Sequence, residues 1–184
     1  MALAPEKVDA LKAIHHLKQK GIRVMLGHSA ATYAQTLAAF DAGAAGLVHC
    51  YNGMTGLHHR EPGMVGAGLT DPRAWLELIA DGHHVHPGAM RLCCCCAKDR
   101  TVLITDAMQA AGMPDGRYTL CGENVEMQGG VVRTASGGWR AARSRWMPPC
   151  EIWWSIRGSP QKTQSIWPRC ILLVCSVWIT CWER

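Results

Sequence analysis

Behind Pro5-Glu6 and ahead of Gly21, apolar residues recur at Val8, Leu11, Ile14 and Leu17, the spacing of one helix face. IRVMLGH (22–28) is apolar and compact enough for a buried strand. Ala30 to Ala42 is rich in helix formers and stops at Gly43, where a left-handed cap suits glycine. AGLVH (45–49) predicts the next strand, and a polar, glycine-rich loop follows it. Beyond that loop come WLELIADG (75–82), a helix from Pro87 through a run of cysteines, and the strand TVLITDA (101–107). YTLCGENVEMQGGVVRT (118–134) carries turn signals at Gly122-Glu123-Asn124 and Gly129-Gly130 and predicts short antiparallel strands. Strand and helix otherwise alternate, which points to parallel βα units; no internal repeat is visible.

The polar residues that interrupt this pattern fall where chemistry is done. The strands end on His28, on His49, on the cluster from Asp81 to His84 and on Asp106. In a (β/α)8 barrel the C-terminal strand ends and the loops after them form the active-site face. His28 and His49 lie one βα unit apart, and neighbouring strands are spaced ~4.8 Å, so both imidazoles can reach one ion. Two ligands are too few for a catalytic metal site, and a third has to come from elsewhere. A carboxylate closing an apolar strand is costly unless it serves an ion or a proton transfer, which makes Asp106 the candidate general base. Arg60 offers a planar fork for a phosphate or carboxylate, and the glycines at 53, 56, 63, 66 and 68 permit close backbone approach to a ligand. His15 and His16, inside a helix, are expected at the surface.

Composition adds bounds. At 184 residues the chain suits one domain with a core. MALAPEKVDALK has no basic start and no apolar run before a cleavage site, so a cytoplasmic protein is expected. The longest apolar run, 171–182, is short of the ~20 residues that cross a bilayer, so no membrane partner is expected. The ten cysteines follow no disulfide spacing. Consecutive helical side chains diverge by ~100°, so Cys93 to Cys96 cannot converge on one metal and are expected to be small buried apolar residues.

Composition also changes abruptly at Gly138. Up to there, twelve Lys and Arg balance twelve acids, and all nine histidines fall in this part with one tryptophan. From Trp139 onward there are seven basic residues, two acids, seven tryptophans and no histidine, which accounts for the whole net charge of +5. Trp interleaved with Arg in WRAARSRW could serve as a nucleic-acid surface. The segment has no helical or strand period and no caps, whereas natural segments agree across those levels. A shifted reading frame accounts for it better. Read from one base earlier, the codons for Trp139-Arg140-Ala141-Ala142-Arg143 can give Leu-Ala-Gly-Ser-Thr, and those for Trp146-Met147-Pro148 give Val-Asp-Ala when the preceding Arg codon ends in G. The expectation is one base lost near Gly137-Gly138, with 1–138 as barrel and 139–184 as an unrelated tail. No nucleic-acid partner is expected.

LAPE (3–6), GHSAAT (27–32), HCYNGM (49–54), REPG (60–63), ADGHHV (80–85) and LITDAMQAAG (103–112), in this order and spacing, resemble the N-acetylglucosamine-6-phosphate deacetylase family of the amidohydrolase superfamily. The likeness runs from about Leu3 to Gly138 and leans toward the N-acetylgalactosamine-6-phosphate branch. It implies a partial (β/α)8 barrel of the metal-dependent hydrolase type, with a short β-hairpin insertion and an irregular C-terminal tail. His28 and His49 would ligate a divalent metal, zinc first, with iron, manganese or cobalt as other candidates. Asp106 would be the catalytic acid/base, while Asn52, Gly53, Arg60 and His84 would contact the sugar phosphate. An arginine reaching a neighbouring subunit's site would imply a homodimer.

The departures matter too. The family's metal-binding glutamate and carbonyl-polarising histidine lie upstream of LAPE, and its LxGS-like substrate loop stands where this chain has Trp139-Arg140-Ala141-Ala142. The shifted frame would restore Leu-Ala-Gly-Ser there. The reading is therefore a metal-dependent deacetylase of N-acetyl amino-sugar 6-phosphates, impaired in this chain. Two rivals are another hydrolase of the superfamily, against which REPG and HxYN argue, and a non-catalytic binding fragment.

Overall fold

The computed structural model describes residues 1–107, 113–120, 122–129, 131–134 and 139–142. The chain divides into two compact units, Met1–Leu78 with Val85–Leu103, and Ile79–His84 with Ile104–Arg184.

The first unit is built on short strands in chain order: β1 (Ala2–Leu3), β2 (Met25–Leu26), β3 (Gly46–Leu47), β4 (Trp75–Ile79) and β5 (Thr101–Ile104). Ala2 pairs with Met25, Met25 with Gly46, and Gly46 with Trp75, all parallel. Helices α1 (Ala10–Gln19), α2 (Tyr33–Ala42), α3 (Gly63–Thr70) and α4 (Pro87–Ala97) fill the crossovers, as the alternation predicts. The (β/α) repeat is thus observed as a parallel sheet with helices in its crossovers. Among the described residues, no helix is long and apolar enough to cross a membrane.

Local sequence explains most of these boundaries. Thr32 opens α2 with a capping box: its Oγ1 accepts from the Gln35 amide at 3.2 Å, and Gln35 Oε1 accepts from the Thr32 amide at 2.9 Å. Helix α1 starts later than its apolar spacing suggests, at Ala10, because Asp9 stands in the left-handed region. Val8 therefore lies outside the helix at 92% exposure, and of the four apolar positions only Ile14 is buried. The strands are shorter than the apolar runs that predict them. Only two residues of each run pair on both sides before the chain turns toward the C-terminal rim.

Two expectations about small residues need correction. Gly66 and Gly68 sit inside α3, so they approach the fold's own side chains rather than a ligand. A Cβ on Gly68 would lie 2.5 Å from Leu47 Cδ1 and 2.8 Å from Leu76 Cδ2, so the glycine lets α3 press onto β3 and β4. Of the cysteines expected to be buried, Cys93 is, whereas Cys95 and Cys96 are exposed. The ~100° step that separates them on α4 brings one face to the core and turns another to solvent.

Arg100, whose role the sequence did not suggest, ties this unit together. Its guanidinium donates to the carbonyls of Gly68 at 3.1 Å, Leu69 at 3.0 Å and Cys96 at 3.3 Å, and also to that of Ala74. Carbonyls at the ends of two helices are satisfied by one side chain.

In the second unit, Ile79 and Ile104 form a small buried cluster. Its other part is an antiparallel sheet in the order β6 (Gly116–Leu120), β7 (Glu123–Gln128), β8 (Val131–Thr134) and β9 (Trp139–Ala142). Val125, Met127 and Val132 form its core, with Tyr118 and Leu120 against them. The expected hairpin is therefore a four-stranded meander. Its last strand corrects the irregular tail: Trp139–Ala142 pairs with β8. Backbone pairing needs no side-chain period, so a segment with foreign composition can still fill an edge. The rest of the tail, 143–184, lies outside the described residues.

Candidate functional site

The register of the parallel sheet decides what meets at its C-terminal rim. Met25 pairs with Gly46 and Leu26 with Leu47. Two residues beyond Leu26 and Leu47 stand His28 and His49, so equal steps along neighbouring strands bring them side by side. Their rings meet edge to face, centroids 4.7 Å apart at 85°, and the two Nε2 atoms approach to 2.9 Å.

Hydrogen bonding fixes what those nitrogens can do. The Nδ1–H of His49 donates to the Asn52 carbonyl at 3.1 Å. In the neutral ring this leaves the lone pair on Nε2, the atom that faces His28. Such an arrangement suits either a proton from the His28 ring or a cation that both nitrogens hold. A carbonyl on the far nitrogen is also the usual support of a metal-bound imidazole. His49 is buried at 7% exposure, whereas His28 is exposed, so the pair has one anchored member and one open to solvent. Among the described residues, no group of three or more His, Cys, Asp or Glu side chains converges as a metal site. The pair fits as two ligands of an incomplete set.

Backbone conformation marks these residues independently. Among the described residues, the left-handed non-glycine positions are Asp9, His28 (φ 47°), His49 (φ 27°), Tyr51 and Asp106 (φ 49°). Such conformations persist only where the surroundings over-determine them, and they gather at functional sites. Three of the five are the residues that strand-end reasoning singles out.

The other expected residues are placed as follows. Asn52 stands in the turn after β3; its side-chain amide donates to the carbonyls of His49 at 3.3 Å and Cys50 at 3.4 Å, so it holds the His49 turn. The Gly53 carbonyl accepts from the Ser29 amide at 3.0 Å and ties the two histidine turns together. Arg60 lies exposed in the loop before α3. Asp106 belongs to the second unit and is exposed. Exposure removes the cost expected of a carboxylate closing an apolar strand, so the backbone of Asp106, not its burial, sets it apart.

His84, also in the second unit, donates from Nδ1 to Asp81 Oδ2 at 2.8 Å, while Asp81 Oδ1 accepts from the amides of His83 and His84, each at 2.9 Å. Burial alone pushes the Asp81 carboxyl up, but the bonds from the His84 ring and the two amides outweigh it and hold it at about 2 against an ordinary 3.8. A depressed carboxyl lends stability that is full above the ordinary value and is lost as pH falls through the folded one. Asp81→Asn is therefore expected to remove on the order of 1 kcal/mol of stability at pH 5, after allowance for solvent screening, and much less near pH 2. Urea unfolding at pH 5 and near pH 2 checks this, and an equal loss at both would contradict it.

Sequence reasoning missed two carboxylates. Glu61 Oε1 accepts from the amides of Tyr33 at 2.7 Å and Gly63 at 3.2 Å. Glu6 accepts from Ser29 and Ala30. Both stand within recognised motifs, but their partners lie 28 and 23 residues away, and no local pattern announces such a pairing.

No family model matches the chain. The N-acetylgalactosamine-6-phosphate deacetylase of Escherichia coli O157:H7 is 86% identical over 138 residues, which is 75% of this chain and 37% of that protein. The N-acetylglucosamine-6-phosphate deacetylase of Vibrio furnissii is 62% identical over 138 residues, 75% of this chain and 35% of that one.

Over its matched residues, the chain is similar to N-acetylgalactosamine-6-phosphate and N-acetylglucosamine-6-phosphate deacetylases.

Solved structures of the family agree. The Mycobacterium smegmatis enzyme, in complex with N-acetyl-D-glucosamine-6-phosphate, superposes with a TM-score of 0.82 at 37% identity, over 86% of this chain and 42% of that one. The Thermotoga maritima enzyme gives 0.81 at 30%, over 87% and 44%. The chain spans little more than a third of the length of the two curated family members.

Proposed function

We propose that this chain carries part of the metal site of a deacetylase of N-acetyl amino-sugar 6-phosphates, folded as part of a (β/α)8 barrel, and that it turns over poorly by itself. The observation that carries the reading is the convergence of the His28 and His49 Nε2 atoms at 2.9 Å, with the His49 ring oriented by a carbonyl. The high identity to named deacetylases supports the substrate class.

A divalent cation, zinc first, would be held by His28 and His49, and when bound it lowers the pKa of a coordinated water. By the family resemblance, Asp106 would take the proton of the attacking water and return it to the departing amine, so that the amide C–N bond breaks to give acetate and the amino sugar. Arg60 and His84 receive the phosphate and hydroxyls, with Asn52 and Gly53 lining the turn. Arg60, exposed on its loop, is assigned to the substrate of its own or a second copy, which makes a homodimer the expected assembly. Among the described residues two imidazoles converge, fewer than the three protein ligands typical of a catalytic site, which supports the expectation of weak turnover. We assign residues 139–184 to a shifted frame, on the change of composition at Gly138.

Purified chain is expected to release little or no acetate from either 6-phosphorylated N-acetyl sugar, and a version with one base restored at codons 137–138 is expected to be better behaved in solution. Turnover comparable to a full-length family member would overturn the impairment. A gene whose other frame stops at once would overturn the shifted frame.

A further inference from the structure

His28 stands in the left-handed backbone region at φ 47°, which an L-residue adopts only against steric resistance. Something must hold it. The three amides that follow are each engaged: Ser29 N–H donates to the Gly53 carbonyl at 3.0 Å, Ala30 N–H to Glu6 Oε1 at 3.1 Å, and Ala31 N–H to Ser29 Oγ at 3.1 Å. Ser29 Oγ in turn donates to Glu6 Oε2 at 2.5 Å. Glu6 thus grips this turn from outside with both oxygens, and it comes from the loop between β1 and α1. On the opposite side, Thr55 Oγ1 donates to the Ala31 carbonyl at 2.6 Å.

We propose that Glu6 is a positioning residue for His28: its carboxylate, through Ser29 and Ala30, holds the turn that aims the His28 imidazole at His49. The metal-facing consequence rests on the reading of His28 as a ligand, whereas the orientation of the ring does not. Ionised carboxylate bonds are the strong ones, and Ser29 is nearly buried at 8% exposure, where water competes poorly. Although burial pushes its carboxyl up, the bonds from Ser29 and Ala30 hold Glu6 below the ordinary value, so the charged form is the one that binds. Gln is nearly isosteric but brings one acceptor where two are used.

The test uses the full chain as wild type, Glu6→Gln, Ser29→Ala and the double variant. Thr36→Val, which removes a bond of 2.8 Å from the buried Thr36 hydroxyl to Thr32 within α2, is the control for general destabilisation. Zinc affinity is expected to fall about tenfold in each single variant, no further in the double variant, and not in Thr36→Val. In metal-free protein, nitrogen-detected spectra of the histidine rings are expected to change for His28 in Glu6→Gln and to stay as in wild type in Thr36→Val. Unchanged His28 ring signals and unchanged zinc affinity in Glu6→Gln would overturn the proposal. If His28→Ala binds zinc as wild type does, the ligand reading falls, and the metal-free spectra alone then decide the role of Glu6.

Discussion

Replacing His49 by alanine is expected to weaken zinc binding by about 100-fold or more, the largest effect of any single side chain in the chain. His49 is the anchored member of the pair, buried and held by the Asn52 carbonyl, so its lone pair is aimed before any ion arrives. Its loss leaves His28 alone, on an exposed turn, and a single imidazole does not retain a metal at micromolar concentration. Calorimetric zinc titration of wild type, His49→Ala and His15→Ala measures this. His15, exposed on α1 and bonded to Gln19, serves as the control for loss of a surface imidazole. Wild-type affinity in His49→Ala would mean that the convergence of the two rings is packing and no more.

The second large effect concerns the strand that delivers His49. Gly46 lies on β3, between β2 and β4, and pairs with Trp75. A Cβ there would fall on the Trp75 carbonyl oxygen and lie 2.7 Å from both its carbonyl carbon and its amide nitrogen. Those atoms belong to a paired strand and cannot swing aside as a side-chain tip can. Gly46→Ala is expected to destabilise the first unit by roughly 3 kcal/mol and, by displacing β3, to weaken zinc binding as well. Gly56→Ala, where a Cβ meets nothing within 4 Å, is expected to leave both nearly unchanged. Denaturant midpoints for the two variants decide it, and equal midpoints would show that the ladder yields.

His28, His49 and Asp106 could be singled out from the sequence because each closes an apolar run, and a run that ends on a ligand-type side chain has few structural explanations. What the run could not convey is how little of it pairs: β2 and β3 are two-residue strands, and the remaining residues form the turns on which the chemistry depends. Asp106 shows the same limit from the other side. Its place at a strand end was legible, but its exposure was not, because burial depends on what packs over a residue and not on its neighbours along the chain. The glycines of α3 show the same limit: the sequence reports that a Cβ is missing and so permits close approach to a ligand, and only the fold reports what fills the space.

By itself, then, the sequence determined the βα alternation, the capped helix α2, the order of motifs and the identity of the two imidazoles, since periodicity, capping and residue chemistry are local properties. The tertiary structure decided the rest. The parallel register, equal steps from Met25 and Gly46, is what sets Nε2 against Nε2, and the grip of Glu6 on the following turn joins residues 23 positions apart. Both depend on distances through space, which a linear pattern of apolar and polar positions does not encode.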